Sequence, residues 1–574
     1  MRLIKIIIPI AIVVVLSVFG LLPLFHSGFF PIHDNEQVGR LYELSKAIFS
    51  GQIPPRLAPD LGFGYDYPLW NFYPPLVYYV AFLFHLLGFN YINSIKLMVG
   101  IGFVGAGMSM YLFSKEYLPK TGALVSSIAY LYIPYHSVDL YVRGDLPEFW
   151  SFIFVPLLFW VFLKIQKTGK GKYVILTGIL TALFLLTHDL IAMMSSVFLG
   201  IFIIYLWFNA KDKKIFIRNA VLGGVLGFLL SAYFWLPSIL EKKYTMVNLL
   251  TEQLANYGLH FVCIRQFLNS PWGYGGSILG CDDGLSFQVG HVQLILLAVV
   301  ILLFIIKFIK TRNLPAGIFV LFFLMFSFSL FLQITYSKFL WDRIQPFWYI
   351  QFPWRFLIFS DFTISFLIGF IFLFVKNTKL YAAIAIVSIV SLLYFNLGYF
   401  KPQSYLNVTD NYYTNNYFLR FVTSNMSFEY VPKGIATITS SIGNTIPAIN
   451  KNEIAKSAYT VINGNMKVKI LQNKPQQKKF LINVSTKGVF QINVFSFPGW
   501  KVYLNKKSIN FSDNNKLKLI RINIPRGKYI VNAVFEETFI RKLGDYVSLA
   551  SFALILLIIL VKLKLKYDRH RYAV

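Results

Sequence analysis

Apolar runs of membrane-spanning length, separated by short polar segments, make up most of this chain. The first run, 6–25, has about 20 residues, which an α-helix needs to cross the hydrocarbon core of a bilayer. Similar runs follow and predict twelve spans, at 6–25, 92–113, 121–138, 147–164, 172–187, 189–208, 215–236, 291–309, 314–333, 354–375, 379–398 and 545–563. The pattern therefore predicts a polytopic α-helical membrane protein.

The apolar stretch 76–87 is an exception to this pattern. It has about 12 residues, too few to span, and it follows the sequence Tyr73-Pro74-Pro75. We predict that it forms a helix lying in the membrane interface. If it crossed the bilayer instead, every later loop would change sides.

The region 400–540 has a different pattern. Runs in which apolar and polar residues alternate lie at 479–485, 488–494, 518–524 and 529–535, and the turn sequences FPGW and PRG lie between them. Period-two alternation broken by turns is typical of antiparallel strands. We predict an external β-sandwich domain, followed by a final helix and basic tail at 541–574. The domain has no evident nucleophile and base, which favours a binding or lid role.

Composition and charge define the class of protein and its orientation. The 574 residues are 56% hydrophobic and 14% charged, which excludes an ordinary soluble protein. The net charge of +29 does not predict nucleic-acid binding, because the basic residues lie in alternate loops. With 76–87 in the interface, one face receives 22 Lys and Arg against three acids, Glu116, Asp212 and Asp568. We predict that this face is cytoplasmic, with both termini, in a multi-pass inner (plasma) membrane protein.

On this topology, residues 1–399 form a transmembrane domain with a first external loop, 26–91, and a large external loop, 238–290. The first span is predicted to be an uncleaved signal anchor, because no small-x-small cleavage site follows it. The two cysteines, Cys263 and Cys281, both lie in the large external loop. They would form a disulfide in an oxidising compartment, and the alternative is two unpaired thiols.

The sequence His33-Asp34-Asn35-Glu36 places two carboxylates and an imidazole just after the first span. Charged groups at the membrane are costly unless they bind partners or take part in chemistry. Asp34 and Glu36 are therefore candidate catalytic residues. The structural alternatives are that Asp34 caps a helix starting near Gln37 and that Glu36 lies in its first turn. Phosphate-loop, dinucleotide-binding and metalloprotease motifs are absent from the sequence.

In the first external loop, an acidic residue at the mouth of the first span precedes an amphipathic segment (39–50), an aromatic stretch (65–75) and an interfacial helix. This order resembles that of the GT-C superfamily of membrane glycosyltransferases. The sequences YVRGDLPE (141–148), QFPWRFL (351–357) and FPGW (497–500) are similar to those of the bacterial 6-pyruvoyl-tetrahydropterin synthase-related membrane family, close to the YfhO-like proteins. The oligosaccharyltransferase sequence Trp-Trp-Asp-Tyr-Gly is absent, which disfavours en bloc transfer to peptides.

The GT-C resemblance implies a polyprenyl-phosphate-linked sugar donor and an extracytoplasmic acceptor, which would be a cell-wall polymer, a glycolipid or a protein. Asp34 occupies the place of the catalytic carboxylate in that superfamily. A carboxylate suits the role of a base near an acceptor hydroxyl. The departing polyprenyl phosphate gains negative charge, so the site needs a fixed cation to stabilise it.

The predicted substrate-binding residues are His33, Arg143, Glu148, His188 and Arg355. Arg143 and Arg355 each offer a planar guanidinium to phosphate oxygens. His188 would donate to phosphate or orient Asp34. The structural alternatives are an ion pair between Arg143 and Glu148, a polar turn at His188 and an interfacial anchor at Arg355.

The sequence also leaves open whether a metal ion is bound and whether the protein has one of two other functions. Asp34, Glu36 and His188 offer ligands to a divalent metal ion, but only the fold would bring them together. A lipid or polysaccharide transporter would carry charged residues inside its spans, and these are nearly free of charge apart from Asp361. A non-catalytic scaffold in envelope assembly would use the β-domain to bind its partner.

Overall fold

A computed structural model describes residues 4–253, 255–311, 316–440 and 443–571, so the start of the predicted span 314–333 and the end of the predicted tail lie outside the described residues. The chain forms two compact units. The first unit consists of Met1–Asn35, Ile92–Phe228 and Ala255–Val408. The second unit consists of Glu36–Tyr91, Leu229–Leu254 and Thr409–Val574.

Eight segments are helical, long and apolar enough to cross a membrane: Ile8–Phe25, Tyr91–Ser114, Leu146–Thr168, Asp189–Phe208, His291–Lys310, Pro353–Phe374, Thr378–Tyr399 and Phe539–Leu565. Two further pairs are bent, Lys213–Leu230 with Ala232–Tyr244 by 72° and Ala316–Phe331 with Thr335–Arg343 by 92°. The described residues thus provide eight to ten candidate spans. The predicted spans 121–138 and 172–187 correspond to shorter helices of 12 and 17 residues. The polytopic helical fold is confirmed, with fewer full-length spans than predicted.

Shorter helices join these segments. The α-helices outside the eight straight spans and two bent pairs are Gln37–Phe49, Leu76–Leu86, Lys120–Leu131, Pro134–Ser137, Gly171–Thr187, Asn248–Glu252, Ile264–Leu268, Gln345–Trp348, Asp410–Thr414 and Ser424–Met426, and π-helical turns lie at Val138–Arg143 and Phe418–Thr423. The helix Leu76–Leu86 has 11 residues. This is about half of what a span needs, consistent with the predicted interfacial helix.

Two spans form the centre of the first unit. The apolar window of Pro353–Phe374 is 94% buried and that of Leu146–Thr168 is 83% buried, whereas no other straight span exceeds 61%. Aromatic rings fill the space around them: the centroids of Phe159 and Phe362 are 4.8 Å apart, and others pack at similar distances. Side chains at the ends of these two helices are therefore held by a closely packed core.

The described residues of the second unit form ten strands. They are β1 (Thr437–Thr439), β2 (Thr445–Pro447), β3 (Tyr459–Asn463), β4 (Met466–Lys474), β5 (Gln477–Val484), β6 (Gly488–Phe495), β7 (Trp500–Leu504), β8 (Lys507–Ile509), β9 (Leu519–Ile524) and β10 (Gly527–Phe535). One antiparallel sheet has the order β4-β5-β10-β7-β8, another has the order β3-β6-β9, and β1 pairs with β2. Alternate residues of both larger sheets share one core, which includes Phe480, Phe490, Ile522 and Val531.

The four predicted strands correspond to β5, β6, β9 and β10, and the helix Phe539–Arg571 follows them. The β-rich region before the last helix is thus confirmed. The compact unit that holds the strands also includes Glu36–Tyr91 and Leu229–Leu254, which are distant in sequence. The domain limits at residues 399 and 540 stay a prediction.

Candidate functional site

The segment 138–148 forms a tight turn in the first unit that brings four ionisable residues together. The π-helical turn Val138–Arg143 ends at Gly144, whose φ of +68° lies in the left-handed region that glycine adopts most readily. A Cβ at Gly144 would also collide with the side chain of Ile32. Asp145 then caps the helix Leu146–Thr168, because its carboxylate accepts a hydrogen bond from the backbone N–H of Glu148 at 3.1 Å.

Arg143 is the centre of this turn. Its guanidinium forms ion pairs with Asp139, with Asp145 at 3.0 Å and with Glu148 at 2.8 Å. It lies over the indole ring of Trp354, 4.5 Å from the ring centroid. A stacked, multiply paired guanidinium has its plane fixed, so its remaining N–H groups point in defined directions.

Arg355, from a distant part of the chain, contacts two of these three carboxyl groups, those of Asp145 and Glu148. It lies in the short 3-10 turn Pro353–Phe356, and its side chain is buried. Its Nη2 lies 3.2 Å from Asp145 and its Nε lies 3.0 Å from Glu148. The alternative of an interfacial anchor that extends into solvent does not describe this buried arginine.

His188 faces Asp145 from a third helix. It caps the helix Asp189–Phe208, and its Nδ1 accepts a hydrogen bond from the backbone N–H of Ile191 at 3.3 Å. In the neutral imidazole the proton then lies on Nε2, which is 3.8 Å from the Asp145 carboxylate. This distance is longer than a hydrogen bond, so Nε2–H can donate to a further group.

The pKa values of two carboxyl groups move in opposite directions. Burial raises the pKa of Asp139 well above its usual range, and the charge of Glu148 raises it further against the opposing charge of Arg143. Burial also raises the pKa of Asp145, but His188 and the guanidinium groups of Arg143 and Arg355 outweigh this effect. The pKa of Asp145 is therefore held well below its usual range. Asp139 therefore takes up a proton more readily than Asp145 does.

The His33-Asp34 segment lies against this turn. The backbone N–H of His33 donates to the carbonyl oxygen of Val142 at 3.0 Å, and that of Asp34 donates to the carbonyl oxygen of Arg143 at 2.8 Å. His33 is exposed, its Nε2 lies 3.0 Å from the carbonyl oxygen of Tyr274, and Asp34 is half-buried. The helix that follows has Glu36 at its N-cap position, so Asp34 is not the capping residue.

Glu36 lies in the second unit, in a different environment. Its carboxylate forms a buried ion pair with Arg40 at 2.8 Å. Arg40 also donates to Ser427 at 3.1 Å and stacks on the ring of Tyr73 at 3.9 Å. The position of Glu36 is explained by this pair, and its predicted catalytic role stays a prediction.

The structure groups a possible set of metal ligands that differs from the predicted one. One ligand atom from each of Asp145, Glu148 and His188 lies within 4.8 Å of the others. These donors suit a divalent ion. Arg143 and Arg355 already pair with the same carboxylates, so an ion would have to displace a guanidinium group.

The structure thus brings together four of the predicted substrate-binding residues, Arg143, Glu148, His188 and Arg355. The sequence reasoning missed Asp145, which contacts both arginines, although the residue lies inside the YVRGDLPE sequence. An Asp three residues before a Glu at the start of an apolar run is typical of a helix start, and this pattern identifies Asp145 as a buried capping residue. Cys263 and Cys281 are joined in a disulfide, with their Cα atoms 5.6 Å apart.

Comparison with known proteins gives limited similarity to solved structures. The chain is similar to the cryo-EM structure of arabinofuranosyltransferase AftD from Mycobacteria, with 11% identity and a TM-score of 0.46 over 70% of this chain and 27% of that chain. A mutant form of the same protein gives 12% identity and a TM-score of 0.45 over 70% and 28%. The chain therefore spans about a quarter of the length of these proteins.

No curated protein matches the chain. The family described as 6-pyruvoyl-tetrahydropterin synthase related domain, membrane protein, matches residues 70–402, which is more than half of the sequence. This match agrees with the family resemblance carried by the sequences around Arg143 and Arg355. The chain therefore belongs to the 6-pyruvoyl-tetrahydropterin synthase-related family of membrane proteins.

Proposed function

We propose that this protein is a GT-C-type glycosyltransferase of the plasma membrane, with cytoplasmic termini. It transfers a sugar from a polyprenyl-phosphate-linked donor to a hydroxyl of an extracytoplasmic acceptor, which is a cell-wall polymer, a glycolipid or a protein. The observation that carries the proposal is the backbone pairing of His33 and Asp34 with Val142 and Arg143. This pairing holds the backbone of the half-buried Asp34 against the turn that carries Arg143.

In the proposed reaction, Asp34 acts as the base. The acceptor oxygen attacks the anomeric carbon as its proton passes to the Asp34 carboxylate. The bond between that carbon and the phosphate oxygen breaks, and the polyprenyl phosphate leaves with the electron pair. Atoms and charge therefore balance without a nucleotide or a redox partner.

Arg143 and Arg355 stabilise the leaving group in this proposal. Both are buried and held by Asp145 and Glu148, so little reorganisation is needed when charge develops on the phosphate. Some of the other N–H groups donate to Tyr135, Ile350 and Gln351. In this proposal the few N–H groups that are left over bind phosphate oxygens. The Nε2–H of His188 adds a donor on the same side of Asp145.

The test is a transfer assay with the full chain in lipid nanodiscs. Polyprenyl-phosphate sugars of several kinds are offered with cell-envelope fractions, and release of polyprenyl phosphate is measured. Asp34→Asn is expected to lose transfer and keep its fold. Asp342→Asn makes the same change at an exposed residue paired with Lys338 in the same unit, and it should retain transfer. Full activity of Asp34→Asn, or no donor consumption by the wild type, would overturn the proposal.

One observation favours the alternative of a transporter. Asp361 is fully buried in the span Pro353–Phe374, and neither of its carboxyl oxygens has a hydrogen-bond partner among the described residues. Ionisable residues at such positions are often part of ion or substrate pathways. Flux of a labelled lipid-linked sugar across proteoliposomes that is lost in Asp361→Asn, with transfer absent in both forms, would favour transport.

A further inference from the structure

The β-rich part of the second unit has a strong imbalance of charge. Between residues 454 and 535 there are fifteen Lys and Arg and a single acid, Asp513. The five strands of the larger sheet, β4, β5, β7, β8 and β10, contain no Asp or Glu at all. A folded domain with this composition has a positive field over much of its surface.

Strand alternation directs the lysines to one face of the sheet. Inward residues such as Phe480 on β5, Val502 on β7 and Val531 on β10 form the core. The outward residues include six lysines, which we call the lysine face: Lys467, Lys469 and Lys474 on β4, Lys479 on β5, Lys501 on β7 and Lys528 on β10. All are exposed except Lys479, which is half-buried.

The register places these lysines in rows across the strands. Lys467 lies opposite Asn483, which lies opposite Lys528 on the next strand, so the two lysines are about 10 Å apart. Lys467 and Lys469 are about 7 Å apart along β4. The amides of Asn483, Asn532 and Gln477 lie among the lysines, and Gln477 donates to Asn532 across the sheet at 2.9 Å. The exposed apolar residues Leu481 and Ile530 lie on the same face, in the row that contains Lys469. The face therefore presents ammonium groups and hydrogen-bonding amides, with one apolar row between them.

Few of these charges are neutralised within the chain. Lys501 forms an ion pair with Glu536 at 2.8 Å. None of the other five lysines forms an ion pair with a residue in the described ranges. Edge lysines often prevent sheet-to-sheet aggregation, which accounts for those on the edge strand β4. It does not account for Lys479 and Lys528, since β5 and β10 each have a neighbour on both sides.

We propose that the lysine face binds an anionic polysaccharide, one that carries phosphate or carboxylate groups along its length. Charge complementarity supplies the attraction, and the rows of lysines let several groups of an extended polymer bind at once. The interleaved amides of Asn483, Asn532 and Gln477 suit sugar hydroxyls. That this polymer is the acceptor rests on the proposed function, whereas the binding itself does not.

Equilibrium binding without any donor sugar tests the proposal. The full chain in neutral-lipid nanodiscs is titrated with fluorescent polyphosphate and polygalacturonate, and neutral dextran serves as the negative probe. The variant combines Lys467→Gln, Lys479→Gln and Lys528→Gln. It is expected to lose at least about tenfold in affinity, and the slope of log affinity against log salt should fall by about 2, as for loss of three phosphate contacts.

Two control variants distinguish binding at the lysine face from a general effect of the net charge of the protein. Lys211→Gln, Lys213→Gln and Lys214→Gln remove the same charge at and just before the start of the helix Lys213–Leu230 and should leave binding unchanged. Arginines at the three face positions should retain binding and also show that these positions tolerate substitution. Equal loss in both glutamine variants, equal binding of dextran, or binding only to vesicles of anionic phospholipid would overturn the proposal. Asp34→Asn should still bind the polymer, because binding does not require transfer. A failure of the transferase proposal can therefore be distinguished from a failure of the binding proposal.

Discussion

The backbone N–H of Asp34 and the carbonyl oxygen of Arg143 form a hydrogen bond of 2.8 Å. This bond ties the segment after the first span to the turn that carries the guanidinium cluster. It is a main-chain contact, so it fixes the position of Asp34 without depending on a side-chain rotamer. Asp34 and Arg143, which are 109 positions apart, are thus adjacent at the main chain, and the transferase hypothesis is centred on these two residues.

Removal of Arg355 should destabilise the first unit strongly. Arg355→Met leaves the buried carboxylates of Asp145 and Glu148 with one guanidinium instead of two, and we expect a loss of about 3–5 kcal/mol in the free energy of unfolding. Arg355→Lys keeps the charge but cannot contact both carboxylates in the same way, so its loss should be intermediate. Denaturant unfolding in detergent measures both.

A matched control for Arg355 is available in the same unit. Arg265 pairs with Asp282 at 3.3 Å, but the two side chains are 68% and 91% exposed. Arg265→Met should therefore have little effect on unfolding, because solvent screens exposed ion pairs. If Arg355→Met were as stable as Arg265→Met, the ion pairs of Arg355 would not contribute to the stability of the first unit.

Asp66 should make the stability of the second unit depend on pH. Burial raises the pKa of Asp66 to about 6, although Lys478 lies 2.8 Å away and opposes the shift. The folded state therefore holds the proton more tightly than the unfolded chain. The resulting stabilisation is fully present below about pH 4 and is lost as the pH rises through about 6, an effect of about 3 kcal/mol.

Unfolding of wild type and Asp66→Asn between pH 4 and 7 measures this effect. The difference in unfolding free energy between the two proteins should change across that interval. Lys478→Met removes the opposing charge and should move the transition to higher pH. Parallel pH profiles for wild type and Asp66→Asn would contradict the assignment.

The sequence predicts those features that depend on local pattern. Strands β5, β6, β9 and β10 were predictable because alternation is a property of neighbouring residues. The bends of 72° and 92° were not, since hydropathy measures apolar length and not helix direction. The meeting of Arg143 with Arg355, 212 positions apart, depends on the packing of two buried spans. Neither sequence motif alone shows that both arginines contact Asp145 and Glu148.

The disulfide between Cys263 and Cys281 predicts a specific labelling result. These are the only two cysteines in the chain, so the native protein should bind no maleimide after denaturation and two maleimides after reduction. The two cysteines are 18 positions apart, and replacing both by Ser removes the cross-link that closes the loop between them. The free energy of unfolding of this loop should fall by about 3 kcal/mol. Faster proteolysis within 263–281 would report this. Labelling without reduction would show that the bond does not form, and would also argue against an oxidising compartment for this loop.

Variants of the Glu36–Arg40 ion pair can distinguish a structural role of Glu36 from a catalytic one. Arg40→Met leaves a buried carboxylate without its partner, so we expect a loss of about 3–5 kcal/mol in unfolding free energy. The double variant Glu36→Gln and Arg40→Met removes both charges and should recover much of that loss, which a double-mutant cycle measures. If Glu36 acts only through this pair, transfer activity in the double variant should recover together with stability. A stable double variant that has lost transfer would instead identify Glu36 as a catalytic residue beside Asp34.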